Sequence, residues 1–297
     1  MRILITGATG FIGKALVPHL TEHRLTVLSR NPNRAEHQLG SQHRYLGSLD
    51  GLNSLAEFDA VINLAGEPIA ANRWDRQRKL QICHSRWDLT EQLTHLFFAA
   101  DERPKIWLNA SAIGYYGPRN AAPVDESAPS GNDFAASVCQ RWESLANQVA
   151  SHTRLAILRI GLVMHPDGGA LARMLPPFKL GGGGPIGNGQ QMMSWIHRDD
   201  MVAALLHLLN HNDACGVFNA TAPNPVSNKV FVQALGKALH RPAVIPVPAT
   251  AIKLMFGEMS TLLLTGQAVQ PKALLDSGFS FAYPSIDACF QQLFAHD

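Results

Sequence analysis

Seven residues near the amino terminus, Gly7-Ala8-Thr9-Gly10-Phe11-Ile12-Gly13, restrict the fold more than any other part of the chain. They follow an apolar run, Arg2 to Thr6, that reads as a short buried strand. They open an apolar-periodic stretch, Phe11 to about His23, that reads as a helix. GxxGxxG between a strand and a helix is the sequence of a loop that turns tightly, lets the backbone approach a pyrophosphate, and packs the helix closely on the strand. The free amides at the start of the helix add a partial positive charge for the phosphates. Gly7, Thr9, Gly10, Phe11, Ile12 and Gly13 are therefore candidate dinucleotide-binding residues. Pro18 predicts a kink in the helix, because its ring clashes with the Lys14 carbonyl in a regular turn.

Strand and helix patterns alternate after this loop. Leu25 to Leu28, Asp59 to Leu64, Pro104 to Ala110 and Leu155 to Leu162 are short apolar runs of the kind that parallel strands buried on both faces require. Asp75 to Ala100 and Phe134 to Val149 carry helical spacing. The pattern predicts an α/β fold, a doubly wound parallel sheet with helices on both faces, the Rossmann arrangement. After Val163 the alternation gives way to a glycine-dense stretch, Gly181 to Gly189, read as a flexible substrate-side loop flanked by Arg173 and Lys179, and to helices around Val202 and Val230. With 297 residues at roughly 150 per domain, we expect a dinucleotide-binding domain at 1–163, with returning elements near 195–222. A smaller α/β lobe for substrate is expected from 164–194 and 223–297.

The end of the second strand bears on the cofactor. A carboxylate about 20 residues past the glycine loop would bond a ribose 2′-hydroxyl, but the chain has Leu28-Ser29-Arg30 there and no acid before Glu36. Arg30 offers a fork of donors to a 2′-phosphate and Ser29 adds a hydroxyl, which points to NADP(H). Net charge is +2, from 25 Lys and Arg against 23 Asp and Glu, so no broad basic surface argues for nucleic acid or an anionic membrane. No apolar run approaches a spanning helix: Arg159 interrupts Leu155 to Met164, and His207 interrupts Met201 to Leu209. Thr6 to Gly10 and Lys14 break any signal-peptide core. Cys83, Cys139, Cys215 and Cys289 are far apart, with no CxxC pair and no Cys/His framework among the 13 histidines. We expect a reduced, cytoplasmic setting and no metal site. The residues set no oligomeric state.

Beyond the loop, Asn63-Leu64-Ala65-Gly66 after a strand, Ser111 followed by Tyr116-Gly117, and Trp195-Ile196-His197-Arg198-Asp199-Asp200 resemble the extended short-chain dehydrogenase/reductase superfamily. Arg73-Trp74, Ser85-Arg86, Gly114-Tyr115-Tyr116-Gly117, Trp142-Glu143, Pro177-Phe178 and Gly183-Gly184-Pro185-Ile186-Gly187 are similar to its atypical YfcH-like epimerase family. The resemblance implies NADP(H) across the amino-terminal sheet and a small-molecule substrate. It places Ser29 and Arg30 at the 2′-phosphate, Leu64, Ala65 and Gly66 beside the cofactor, Arg86 on the following helix, and Val163 near the nicotinamide. The basic group Arg73, Arg76, Arg78 and Lys79 at the start of that helix reads as a solvated face.

The superfamily delivers a proton with Tyr-x-x-x-Lys. In this chain the motif's positions fall on Phe134 and Val138, neither of which carries an exchangeable proton. Three readings stay open. The donor has moved, with Tyr115, Tyr116, Cys139 and His197 as candidates; or the chemistry needs little acid assistance; or the chain binds NADP(H) without turnover, as a sensor or regulatory protein. Ser111 is either a donor to a substrate oxygen or a strand-end hydroxyl. His197 either meets substrate or caps the helix starting near Asp199. Catalytic candidates are therefore Ser111 and Tyr116, with Tyr115 and His197 as substrate-side candidates, for an oxidoreductase or epimerase-like reaction.

Overall fold

The computed structural model describes residues 1–295. Seven strands form one parallel sheet: β1 Arg2–Thr6, β2 Arg24–Leu28, β3 Arg44–Leu46, β4 Ala60–Asn63, β5 Ile106–Ala112, β6 Arg154–Ile160 and β7 Gly216–Ala220. Their order is β7-β6-β5-β4-β1-β2-β3, with every neighbouring pair parallel. From β1 the chain winds outward to β2 and β3, then returns past β1 to β4 and winds the other way. The carboxyl ends of β1 and β4 are thus a topological switch point, where the two connections diverge and leave a crevice.

Alternation along each strand divides the core in two. Ile3, Ile5, Val27, Ala60, Ile62, Leu108, Ala156 and Leu158 face helices α1 (Phe11–Leu16) and α6 (Arg198–Asn210). Leu4, Val61, Trp107, Leu155 and Ile157 face the opposite side, with Leu93 and Phe97 of α3 (Arg76–Phe98) and Ala146 of α4 (Phe134–Ala146). A third cluster holds the carboxy-terminal lobe, where Leu171, Leu175 and Phe178 of α5 (Gly169–Lys179) meet Phe231 and Leu235 of α7 (Asn228–Ala238) and Phe290 near the carboxyl end.

Several local expectations change. The first α-helix stops at Leu16 and tightens into a 3-10 turn, Val17–His19. Pro18 therefore ends the helix instead of kinking it, because it has no N–H for the ladder. Leu155 to Leu162 is not one strand: the sheet strand ends at Ile160, and Leu162–Met164 pairs with Trp195–His197 outside the main sheet. Gly161 makes the change of partner possible, since a Cβ there would lie 2.8 Å from the Ser194 carbonyl and from Thr221. The edge strand β3 and the helix α2, Pro32–Leu39, have little apolar pattern. The helix is nevertheless signalled by its cap: Asn31 Oδ1 accepts from Arg34 N at 3.0 Å, and Pro32 occupies the first turn.

The glycine stretch 181–189 is a packed element of the lobe and not a free loop. Pro185 and Gly187 exchange backbone hydrogen bonds with Val247, and Ile186 N donates to Asn228 Oδ1. At Gly184 a Cβ would overlap the Ile245 carbonyl, 1.7 Å away. No helix among the described residues is long and apolar enough to cross a membrane.

Candidate functional site

The crevice at the switch point opens into a cavity of about 720 Å³. Of the residues singled out for a cofactor, Gly7, Thr9, Gly10, Ser29, Arg30, Leu64, Ala65 and Gly66 line it. Gly7 adopts φ +72°, and a Cβ there would strike the Leu64 carbonyl carbon at 2.7 Å. Only glycine lets the loop cross so close to the end of β4. Gly13 packs the helix onto the loop, since its Cβ would sit 2.3 Å from the Gly7 carbonyl. At Gly10 a Cβ would meet nothing but that same carbonyl, at 3.0 Å, so the missing side chain leaves a bare backbone cradle facing the cavity.

Phe11 and Ile12 are half-buried against the sheet core, and Gly13 is buried. Val163, 8% exposed, also lies in the core beside Phe11. Because α1 has only six residues, the loop amides and nearby cations supply more of the field on a phosphate than a helix dipole does.

A buried polar network fixes the floor of the crevice. Thr6 Oγ1 donates to Asn63 Oδ1 at 2.7 Å and accepts from Ala65 N at 3.2 Å. Asn63 Nδ2 donates to Thr90 Oγ1 and Asn109 Oδ1, and Trp142 Nε1 also donates to Thr90 Oγ1. The ends of β1, β4 and β5 are thereby tied to α3 and α4, which holds Leu64 and Ala65 against the glycine loop.

The wall beyond Ala65 is different in kind. Glu67 N donates to Ser85 Oγ at 3.0 Å, its carbonyl accepts from Arg86 Nη2 at 3.0 Å, and its carboxylate pairs with Arg30 at 2.7 Å and Arg78 at 3.3 Å. Burial opposes the Glu67 charge, but the hydrogen bonds from Arg30 and Arg78 prevail and hold its carboxyl below the usual range. The expected solvated basic face holds for the exposed Arg73 and Arg76 and is corrected for Arg78 and Lys79. Arg78 is buried, donates to the Pro68 carbonyl at 2.6 Å and clamps the 67–75 segment, while Lys79 pairs with Glu258 of the lobe. Asp75 accounts for this folding by capping α3, its Oδ1 accepting from Arg78 N at 2.7 Å. Arg86 stacks its guanidinium over Trp142, 5.2 Å from the ring centre. Burial lowers its pKa, and it acts on the cavity by holding Gly66 and Glu67 in place.

Beyond this, outside the residues that line the cavity, lies an apolar wall. Ile82, Cys83 and Val138 are buried together, packed by Ile69, Trp74, Trp87 and Phe134. Trp74 meets Phe134 edge to face at 4.9 Å, and Lys79 Nζ lies 4.9 Å above the same Phe134 ring. Two links join this wall to the lobe: Lys79 to Glu258, and Arg173 Nη1 to the Ala70 carbonyl.

The proposed proton donors separate on burial. Tyr116 is fully buried; its hydroxyl donates to Asn219 Oδ1 at 2.7 Å and accepts from Arg159 Nη1 at 3.0 Å. Ser111 Oγ donates to Glu143 Oε1 at 2.6 Å, and Glu143 in turn grips Arg159 through both oxygens at 2.9 and 2.8 Å. Ser111, Glu143, Arg159, Tyr116 and Asn219 therefore form one closed network inside the molecule. Burial works against the Arg159 charge, yet Glu143 and Tyr116 keep its pKa above the ordinary value. Burial raises the pKa of Tyr116 and pushes Cys139 up to about 11. His197 is buried away from the cavity: its Nδ1 accepts from Asp199 N, its Nε2 meets Gln292 Oε1 at 2.9 Å, and its ring lies against Tyr283. It caps α6. Tyr115 remains half-buried, its ring covering the Arg159 guanidinium at 3.4 Å.

The NAD dependent epimerase/dehydratase family model matches residues 3–220, and a domain of unknown function, DUF1731, matches 247–293. The chain belongs to the NAD dependent epimerase/dehydratase family. It is 36% identical over 301 residues to the human epimerase family protein SDR39U1, covering 99% of this chain and all of that one. It is 41% identical to the chloroplastic SDR39U1 homolog of Arabidopsis thaliana, over 95% of this chain and 84% of the relative. A crystal structure of human SDR39U1 with NADPH superposes with a TM-score of 0.91, at 36% identity and over the full length of both chains. UDP-glucuronic acid 4-epimerase from Bacillus cereus shares the fold, with a TM-score of 0.77 at 19% identity.

Sequence reasoning missed four residues that line this cavity. Arg34 lines the cavity one helical turn past Arg30, with Asn31 between them; the cap signal Asn31-Pro32 was there to place both. Glu67 stands in the Asn63-Leu64-Ala65-Gly66-Glu67-Pro68-Ile69 block that resembles the family, but its role could not be read there, because it depends on β2 and β4 flanking β1. Thr6 reads as one more strand residue until its hydroxyl is seen holding Asn63 and Ala65. Among the described residues no group of His, Cys, Asp and Glu is placed to hold a metal ion. A second cavity, about 880 Å³, opens at the amino-terminal edge of β1 to β3 beside Arg2, Arg24 and Arg44, at the end of the sheet away from the switch point.

Proposed function

We propose that the chain is an NADP(H)-dependent oxidoreductase for a small molecule whose acceptor carbon needs little acid assistance. The single observation that carries the cofactor reading is the cavity itself, a bare glycine cradle with Arg30, Arg34, Ser29 and Asn31 gathered at the end of β2 and no carboxylate on that strand end. A cation pair at this position suits a 2′-phosphate, and the NADPH held by a 36%-identical relative supports the same choice. When bound, NADPH supplies the hydride. The chain's own part is to grip the phosphates with the loop amides and the two arginines, and to hold the acceptor against the Ile69, Trp74 and Phe134 wall.

The acid-independent chemistry is supported by the wall and by the closed network behind it. Phe134 and Val138 have no proton to give, and the hydroxyls of Ser111 and Tyr116 are engaged inside the protein. General acid catalysis is typically worth 10²- to 10⁴-fold, so a site without it favours acceptors that stabilise the added electron pair themselves, such as conjugated enones or quinones. With NADPH bound, the site would suit hydride delivery to such an acceptor, the balancing proton being drawn from solvent. Neither nucleic acid nor a membrane is part of this reading, and four free cysteines suit a reduced, cytoplasmic setting.

The engaged hydroxyls favour one other reading, a silent NADP(H)-binding regulatory protein. Stopped-flow oxidation of NADPH, followed at the nicotinamide absorbance, separates the two. The oxidoreductase reading expects turnover with conjugated acceptors and little with simple ketones or nucleotide sugars. Turnover of nucleotide sugars alone would refute the acid-free chemistry, and tight NADPH binding without oxidation by any acceptor class would favour the regulator.

A further inference from the structure

Arg30 and Glu67 stand on opposite sides of β1. Arg30 follows β2, Glu67 follows β4, and β1 lies between these strands. Their ion pair at 2.7 Å therefore spans the carboxyl end of β1, across the crevice and above the glycine loop. The Arg30 side chain is 92% exposed and that of Glu67 23%, so the arginine is the movable partner. Glu67 is fixed by its backbone bonds to Ser85 and Arg86 and by Arg78 on its second oxygen. The carboxylate is an anion built into the cavity, held at the guanidinium that the cofactor reading assigns to the 2′-phosphate.

We infer that Glu67 is a specificity-determining residue: it holds Arg30 as an internal substitute for the 2′-phosphate and surrenders it to NADP(H) by anion exchange. The inference rests on the NADP(H) reading above. A ligand with a 2′-phosphate replaces one anion on Arg30 with another that carries more charge and more acceptor oxygens. A ligand with a 2′-hydroxyl offers no replacement and leaves the Arg30–Glu67 pair standing. Glu67 thus weakens NADP(H) binding by its competition, keeps Arg30 from collecting stray phosphate, and retains Arg78 as its partner after the exchange. That second contact keeps the 67–75 segment clamped through the Pro68 carbonyl whether or not Arg30 has moved.

The test is equilibrium binding of NADPH and NADH to the full chain, by nicotinamide fluorescence or calorimetry, in wild type, Glu67→Gln, Arg30→Ala and the double variant. The expected result is that Glu67→Gln tightens NADPH about 3- to 10-fold, the weight of an exposed ion pair plus the relieved repulsion of a phosphate. NADH binding stays the same, and in the Arg30→Ala background the gain disappears. Unchanged or weaker NADPH binding in Glu67→Gln would overturn the inference. So would an equal gain for NADPH and NADH, since the pair would then obstruct any dinucleotide. Equal affinity of the wild type for both cofactors would instead overturn the NADP(H) reading beneath it. Should Glu67→Gln fail to fold, Glu67→Asp withdraws the carboxylate by about 1.5 Å; it is expected to give a smaller gain for NADPH only, and no gain would overturn the proposal.

Discussion

Replacing Tyr116 with phenylalanine tests whether its hydroxyl serves the fold or the chemistry. In the native state that hydroxyl has two partners: it donates to Asn219 Oδ1 at 2.7 Å and accepts from Arg159 Nη1 at 3.0 Å. Asn219 cannot compensate, because its side-chain amide already donates to the Gln270 carbonyl and its backbone N–H to Glu126 Oε1. Tyr116→Phe keeps the ring and its edge contact with Tyr115 but leaves a buried amide oxygen without a donor. Arg159 loses less, since the same Nη1 also reaches the Glu126 carbonyl at 3.3 Å. An unsatisfied buried acceptor costs about 1–3 kcal/mol. At about 2–4 °C per kcal/mol for a large domain, the melting temperature falls by roughly 2–12 °C. Urea or thermal unfolding by circular dichroism reads that loss. NADPH affinity and turnover per folded molecule, measured below the transition, stay within about twofold of wild type. The reasoning is refuted if stability is untouched, or if oxidation of NADPH drops a hundredfold or more while the unfolding midpoint holds.

Three further outcomes follow from the same geometry. Arg30→Ala weakens NADPH by about 10- to 100-fold, the range for charge-assisted hydrogen bonds to a phosphate, and leaves NADH nearly unchanged in a binding titration; Arg34→Ala does the same more mildly. Glu143→Ala strands the buried Arg159 without its counter-ion, at a cost of about 3–5 kcal/mol, so the variant should unfold at markedly lower urea; an unaltered midpoint would contradict the closed network. Burial lowers the pKa values of His197, His165, His207 and His43. The unfolded chain then binds more protons than the native one below about pH 6.5, so stability is full at pH 7.5 and falls on acidification. Melting temperatures at pH 7.5 and 6 show this, with a shallower slope in His197→Gln.

Carboxylates add a term of the opposite sign at lower pH. Burial raises the pKa of Glu126 and Asp200, so their contribution is present below the ordinary carboxylate range and is lost as pH rises through the raised values. The histidine slope is for that reason read between pH 7.5 and 6.

The amino-acid sequence alone determined the frame. Gly7 to Gly13 after a buried strand, and the alternation of apolar strands with spaced helices, require a doubly wound sheet with a phosphate loop at its centre. Both patterns are local, and each residue's contribution is read from neighbours a few positions away. The absence of a carboxylate at Ser29-Arg30 is local too, and it leads directly to the cations at the end of β2. Tertiary structure decided everything that depends on partners distant in the chain. Tyr116, a donor candidate by its neighbours, became a core residue because Arg159 and Asn219, 43 and 103 positions away, close around it. His197 became a cap packed on Tyr283. Arg78 and Lys79, two charges in a basic run, parted company: one is buried against Glu67 and the other is paired to Glu258, 179 positions on. Glu67 has a role at all only because the strand order sets β2 and β4 on either side of β1, bringing a carboxylate to an arginine 37 residues before it. Burial and counter-charge are properties of the assembled fold, and they choose which polar groups hold it together and which face the cavity.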